Sequence, residues 1–280
     1  MGISDTIWHK WLQRPYRLAA SDTKHGTKTV VLLHGVGASG AVWHALVKQL
    51  EAVGWRVIVP DLLGFGDSPK PQWNNYTVHD HARHVVALLK RLRVKGKVTI
   101  VGHSMGTLVA THIAATHPKL VSRLVLYEPP LYADDPEFTG HMRRREYYFA
   151  LYTFIATHPQ LAFTQARLMW RVAKRLVGLH LSPEEWTPFE RSLRNTIMKQ
   201  TAYAELHSVQ VPTDIVHGRL DIVVTRKDLR RMYRQNRFIT WHTVTDTHGI
   251  SQRSARYLGH LLNGTTPPKR RRRRTKKNPR

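Results

Sequence analysis

Short apolar runs alternate with longer amphipathic runs along the chain from Thr29 onward. The apolar runs are rich in β-branched residues, and their length is typical of strands buried on both faces of a sheet. Strands are predicted at 30–33, 57–59, 98–101, 124–126, 215–216 and 238–244. This alternation predicts βαβ units, and therefore a parallel sheet covered by helices.

The amphipathic runs between these strands predict helices, most clearly at 41–53 and 77–92. Within the second run, apolar residues recur at the three- and four-residue spacing that places them on one helix face. Thr77 can cap the start of this helix, and Gly96 lies just beyond its end. The pattern thus predicts strands and helices in regular alternation.

The alternation breaks between 131 and 209, where no run typical of a buried strand occurs and aromatic residues are frequent. An insertion of about 80 residues is longer than an ordinary connection between a strand and a helix. We interpret it as a helical subdomain with its own small core, and as a lid over a site. The predicted organisation is a core at 1–130 and 210–263, a helical lid at 131–209, and a disordered basic tail at 264–280.

The amino-acid composition excludes several kinds of covalent and metal chemistry. The chain has no cysteine, which excludes disulfides, a thiolate nucleophile and cysteine-bound zinc. Its net charge is +25, and nine lysines and arginines lie in the last twelve residues, after Pro267 and Pro268. The tail predicts weak contact with nucleic acid or an anionic surface, although a solvated chain end would have the same composition.

Neither a transmembrane helix nor a signal peptide is predicted. No stretch of about 18 uncharged apolar residues occurs, and the first eleven residues carry polar and charged side chains where a signal peptide has its apolar run. The absence of cysteine also fits a reducing compartment. The expected location is therefore cytoplasmic.

The strongest chemical motif is the sequence GHSMG at 102–106, which fits the pattern G-x-S-x-G. It follows a predicted strand and precedes a predicted helix, and this context identifies a nucleophile elbow. The serine of such an elbow lies on a strained turn that projects its hydroxyl beyond the strand ends. A side chain two residues before or after it would collide with neighbouring backbone. Ser104 is therefore the candidate nucleophile.

A serine hydroxyl needs a base to accept its proton. Because the chain has 18 histidines, only position can select one. His248 follows the last predicted strand in a loop that can reach the serine, and it is the preferred base. His217, at the end of another strand, is the second candidate, and His242 lies within a strand, where a structural role is expected. His34 and His103 occupy motif positions that do not suit a base.

The base in turn needs an acid that fixes its tautomer. Asp221 follows the strand that ends near His217, and it is the preferred acid. Glu128 competes with it, because Glu128 also follows a predicted strand at the carboxyl edge of the sheet. The sequence favours Asp221 without excluding Glu128.

Backbone N–H groups can stabilise the oxyanion that develops during acyl transfer. The sequence HGVG at 34–37 follows a predicted strand, and its glycines permit a tight turn. The N–H groups of Val36 and of Met105, the residue after the candidate nucleophile, are the predicted pair.

Four segments together resemble the α/β-hydrolase superfamily, specifically its lid-bearing serine hydrolase branch. They are HGVGASGAVW at 34–43, DLLGFGDSPKP at 61–71, GHSMGTLVA at 102–110 and VPTDIVHGRLDIVV at 211–224. The resemblance covers about 29–262. It implies an α/β fold with a mostly parallel eight-stranded sheet, helices on both faces, and a helical lid after the sixth strand. It also implies a triad of Ser104, His248 and Asp221.

The expected function is hydrolysis of a small-molecule ester, thioester or lactone through an acyl-enzyme on Ser104. Alternatives are hydrolysis of a C–C bond in a β-diketone-like substrate by the same triad, and a non-catalytic ligand-binding or nucleic-acid-tethered protein with this fold. Related epoxide hydrolases and haloalkane dehalogenases have Asp where Ser104 stands, which disfavours their activities. The sequence does not identify the substrate-binding residues.

No metal and no cofactor is expected. Asp61, Asp67 and the histidines at 79 and 81 could suggest a metal site. A turn in which the two aspartates organise Gly64 and Gly66 explains the same residues more directly.

Overall fold

The β-branched runs form a seven-stranded sheet in the computed structural model, which describes residues 6–132, 150, 153–154, 157, 181–221, 223–224 and 226–265. The strands are β1 (Ala20–Asp22), β2 (Lys28–Leu33), β3 (Trp55–Pro60), β4 (Val98–His103), β5 (Val121–Tyr127), β6 (Thr213–Gly218) and β7 (Ile239–Val244). Their spatial order is β1-β3-β2-β4-β5-β6-β7. Only β1 is antiparallel to its neighbour, so the sheet is mostly parallel as predicted.

The strand count differs from the eight that the resemblance implies. Among the described residues, a single three-residue strand precedes β2, because the chain from Thr6 to Trp11 forms a helical turn instead of a strand. The segment at 131–209 consequently follows the fifth strand described, and not the sixth. The fold class is unaffected, since the parallel strands β2 to β7 are all present.

Seven α-helices can be delimited within the described residues. They are α1 (His44–Glu51), α2 (Val78–Arg91), α3 (Met105–Thr116), α4 (Trp186–Ser192), α5 (Ala202–Ser208), α6 (Arg226–Gln235) and α7 (Gln252–Leu262). Shorter helical turns lie at Gly40–Trp43, Pro183–Glu185 and Leu193–Met198. As predicted, Thr77 caps α2: its Oγ1 accepts a hydrogen bond from the Asp80 N–H at 3.1 Å.

Two separate cores lie on the two faces of the sheet. Along β2, Val31 and Leu33 face a core that also contains α2, α3, α5 and α6, while Val30 and Leu32 face a core with α1 and α7. This alternation follows from the two-residue period of a strand. Both faces of β2 are apolar because both are covered, which is typical of parallel sheets.

The described part of the predicted lid packs on the first of these cores. Phe189 of α4 is buried there with Leu193 and Ile197. The Thr196 hydroxyl donates to the Tyr76 carbonyl at 2.7 Å, which ties this part of the chain to the loop before α2. Residues 133–149 and 158–180, with many of the aromatic residues noted above, lie outside the described residues, as does the basic tail from 266 onward.

Within the described part of the chain, no helix combines the length and apolarity needed to cross a membrane.

Candidate active site

Ser104 lies in the sharp turn between β4 and α3, with φ +49° and ψ −121°. This conformation is strained for a residue other than glycine. The two glycines of the motif allow the turn to pack tightly. A Cβ on Gly102 would lie 2.5 Å from the Gly106 carbonyl oxygen, and one on Gly106 would collide with the carbonyl of Leu33. The GHSMG segment therefore forms the elbow that its sequence predicts.

The three predicted catalytic side chains form one hydrogen-bonded chain. The Nε2 atom of His248 lies 2.9 Å from the Ser104 Oγ, and its Nδ1 atom lies 2.8 Å from the Asp221 Oδ2. A carboxylate can only accept, so Nδ1 carries the proton and Nε2 is free to accept from the serine hydroxyl. Ser104 is 8% exposed and His248 is 3% exposed, so the chain is largely shielded from water.

Asp221 is held in its ionised form. Burial by itself would raise its pKa, but hydrogen bonds from His248 and from the backbone outweigh that effect and lower the pKa of Asp221 below its ordinary value. The backbone donors are the N–H groups of Val223, at 2.6 Å, and of Val224, at 3.2 Å. A charged Asp221 can orient His248 and stabilise an imidazolium there.

The two predicted oxyanion donors belong to segments that lie against Ser104. Met105 is the first residue of α3, and the N–H groups of the first helical turn have no partner within the helix. Val36 lies in the turn after β2, next to Gly35, and a Cβ added to Gly35 would lie 3.1 Å from the Ser104 Cβ. The backbone at Gly35 thus lies against Ser104, and the two predicted donors are the N–H groups that directly follow Gly35 and Ser104 in the chain.

Sequence reasoning missed the role of His103. Its ring Nε2 donates to the backbone carbonyl of His248 at 2.7 Å and so ties the His248 loop to the end of β4. Burial lowers the pKa of His103 to about 3, which keeps the ring neutral. The available signal was its position directly before Ser104, which places it at the same edge of the sheet.

The other candidate histidines have different partners. The His217 Nδ1 lies 3.0 Å from the Glu128 Oε2, so this histidine contacts the competing acid and not the serine. His34 accepts the Leu62 N–H at 2.8 Å through its Nε2. His242 lies 2.7 Å from the Asp214 Oδ1, in the structural setting expected for it.

The carboxylate of Asp61 organises a turn. It accepts hydrogen bonds from the N–H of Gly40 at 2.6 Å and from that of Asp67 at 2.8 Å. Among the described residues, the one cluster with the composition of a metal site is Glu128, His217 and Asp221, whose possible ligand atoms lie within 4.8 Å of one another. The same atoms are occupied by hydrogen bonds within the cluster and to the Gly218 N–H and His248.

A sequence model of the alpha/beta hydrolase fold matches residues 28–239, so the chain belongs to the α/β-hydrolase family. This confirms the predicted fold class.

Individual relatives are similar over shorter stretches. The chain is 34% identical over 102 residues to coelenterazine h 2-monooxygenase of Renilla reniformis, covering 36% of this chain and 32% of that protein. It is 38% identical over 110 residues to lipase LipV of Mycobacterium tuberculosis, covering 39% and 40%. The chain thus spans about a third of the length of the first curated relatives it matches.

Solved structures match over most of the chain. A thermophilic esterase from Thermogutta terrifontis superimposes with a TM-score of 0.67 at 24% identity, covering 88% of this chain and 92% of the esterase. At this identity the similarity establishes the fold alone.

Proposed function

We propose that the protein is a serine hydrolase that transfers an acyl group from an ester, thioester or lactone to water through an acyl-enzyme on Ser104. The observation that carries this proposal is the continuous hydrogen-bonded chain from Ser104 through His248 to Asp221. It is the arrangement of nucleophile, base and acid that acyl transfer requires. Relatives named as a lipase and as probable lysophospholipases are consistent with an ester substrate.

Each group has a defined task in this mechanism. The Ser104 oxygen attacks the carbonyl carbon while His248 Nε2 takes its proton. The N–H groups of Val36 and Met105 stabilise the oxyanion of the tetrahedral intermediate. As this intermediate collapses, the leaving alkoxide or thiolate takes the proton back from His248. His248 then removes a proton from water, which attacks the acyl-enzyme. The second tetrahedral intermediate collapses, the acid is released, and the Ser104 oxygen takes its proton back from His248.

In this proposal the insertion at 131–209 is the lid that shapes the acyl pocket. Its support comes from the described part: α4 packs on the core, and the Glu185 Oε1 accepts the Gly66 N–H at 2.9 Å. The loop that follows β3 is thereby joined to the insertion.

Covalent labelling tests the proposal directly. A fluorophosphonate probe should modify Ser104 stoichiometrically in the native protein, because the probe needs an activated serine and an oxyanion site. Peptide mapping by mass spectrometry identifies the modified residue. Heat-denatured protein, in which the three side chains are separated, should not react. Native protein that does not label, or that labels at another serine, would contradict the proposed nucleophile.

The basic tail gives an independent prediction. Deleting residues 267–280 removes nine positive charges, and we expect weaker retention on heparin or RNA, with the difference shrinking as salt rises. The kcat and KM for a small neutral ester should stay nearly unchanged, because the tail follows a Pro-Pro break after α7. Loss of esterase activity in folded, truncated protein would instead make the tail part of the catalytic unit.

A further inference from the structure

Two buried carboxyl groups meet beside the proposed triad. Glu128 directly follows β5, and Asp221 follows the neighbouring strand β6. Their carboxyl groups lie in one cluster with His217, whose possible ligand atoms are within 4.8 Å of one another, and both side chains have an exposure of 0%. Of these two carboxyl groups, only Asp221 has a described hydrogen bond to His248, so the mechanism leaves Glu128 without a task.

The backbone conformation of Glu128 and the hydrogen bonds of its carboxyl group hold the side chain at this position, and neither is part of the hydrogen bonding between strands. Its backbone has φ +51°, a strained conformation for a residue with a side chain. Its Oε1 accepts the Gly218 N–H at 2.5 Å, and its Oε2 lies 3.0 Å from the His217 Nδ1. A Cβ on Gly218 would collide with the carboxyl group. The neighbouring strand thus leaves room for Glu128 at this position.

The surrounding charges decide where a proton resides. Glu128 lies in a cluster with Asp221, and the charge of Asp246 adds to the effect of Asp221 on the pKa of Glu128. Two carboxylates in contact resist simultaneous ionisation. Asp221 has the hydrogen bonds from His248 and two backbone N–H groups that favour its charged form.

The charged form of Glu128 has fewer stabilising hydrogen bonds than that of Asp221. Burial, reinforced by the adjacent carboxylate of Asp221, raises the pKa of Glu128 to about 11. The neighbouring histidine does not supply a counter-charge, because burial, together with the nearby positive charges of Arg226 and Arg230, lowers the pKa of His217 despite the favourable charge of Asp221. The proton of the pair therefore belongs to Glu128.

We propose that Glu128 is a positioning residue which, as a neutral carboxylic acid, donates a hydrogen bond to Asp221 and holds that carboxylate against His248. The inference rests on the proposed role of Asp221 as the acid. The remaining lone pairs of Glu128 accept from the Gly218 N–H and from His217 Nδ1–H, so every polar atom of the carboxyl group is satisfied. The pair then carries one negative charge.

Two substitutions separate the hydrogen bond from the charge. Glu128→Gln keeps a neutral donor of the same size, whereas Glu128→Met keeps the volume and removes the donor. We expect E128Q to retain kcat for a small ester within about threefold. We expect E128M to lose about 10- to 100-fold in kcat with little change in KM, because only the orientation of Asp221 and His248 is impaired. Full activity of E128M, or no recovery with glutamine, would overturn the proposal.

The pH profile of E128Q tests the protonation state. If Glu128 is neutral, E128Q leaves the charge near His248 unchanged, and the acid-side midpoint of kcat/KM should not move. If Glu128 were ionised, E128Q would remove a negative charge and shift that midpoint to lower pH. A shift of this kind would contradict the proposal.

Infrared spectroscopy detects the protonation state of Glu128 without an activity measurement. Wild-type protein at neutral pH should show the carbonyl stretch of a buried carboxylic acid, and E128Q should lack that band. The band should persist in S104A, which cannot form an acyl-enzyme. If wild-type protein showed the band but had no esterase activity, the proposed function would be refuted and the carboxyl pair would stand. Absence of the band would overturn the pair, even in an active enzyme and even if E128M does not fold.

Discussion

Replacing Ser104 with alanine is expected to lower ester turnover by about 10⁴-fold or more. The substitution removes the attacking oxygen, and neither His248 nor the backbone N–H groups can replace it. The fold should be preserved, because the side chain of Ser104 caps no helix and its hydroxyl bonds only to His248 among the described contacts. Steady-state kinetics with a chromogenic ester, together with a thermal unfolding curve, measures both effects.

The chain offers a matched control for this substitution. The hydroxyl of Ser192 lies 3.2 Å from His81 Nε2, so it forms a second buried Ser–His pair. His81 Nδ1 has no hydrogen-bond partner, which means that no acid supports this pair. Burial also lowers the pKa of His81 to about 3, so it is a poor base. Ser192→Ala should therefore retain turnover, and a loss equal to that of S104A would show that a buried Ser–His contact is not sufficient to identify the nucleophile.

Replacing Asp221 with asparagine is also expected to have a large effect, a loss of about 10⁴-fold in kcat. The amide can present its NH₂ group to His248, which then accepts at Nδ1 and carries its proton on Nε2. In that tautomer Nε2 cannot take the proton of Ser104. Kinetics of D221N beside those of E128Q measures the contrast, since the glutamine variant is expected to stay close to wild type. The opposite ranking would make Glu128 the acid.

Asp214 provides the control for this loss. Its carboxylate also contacts a histidine, with the Oδ1 atom 2.7 Å from His242 Nε2, and it pairs with Arg123 through Oδ2. The pair lies near the start of β6, whereas Asp221 follows the end of that strand. Asp214→Asn should lower the thermal midpoint while leaving kcat close to wild type. A drop in kcat as large as that of D221N would indicate a general effect of disrupting buried Asp–His pairs.

The features that the sequence predicted well are those encoded by neighbouring residues. The elbow around Ser104 depends on two glycines within two residues of it, and the capping of α2 depends on Thr77 and Asp80. The strands could be recognised because a parallel strand covered on both faces must be apolar throughout. Asp221 and His248 could be selected because each follows a strand whose carboxyl end is at the edge where Ser104 lies.

The choice between the two acids needed the tertiary structure. Glu128 and Asp221 follow adjacent parallel strands, so both reach the same edge of the sheet, and position along the chain cannot rank them. The structure joins Asp221 to His248 across 27 residues and Glu128 to His217 across 89 residues, and these contacts support the proposal that Asp221 is the acid.

The sequence by itself determined the class of fold and the sharp strand-to-helix turn around Ser104, and it supplied the candidate residues of the site, because local spacing dictates those features. The tertiary structure alone decided that seven strands form the described sheet, that His103 anchors the His248 loop, and that Glu128 lies in one cluster with His217 and Asp221. These depend on side chains that are distant in sequence and close in space. Their hydrogen bonds and protonation states are fixed only when folding removes water from between them.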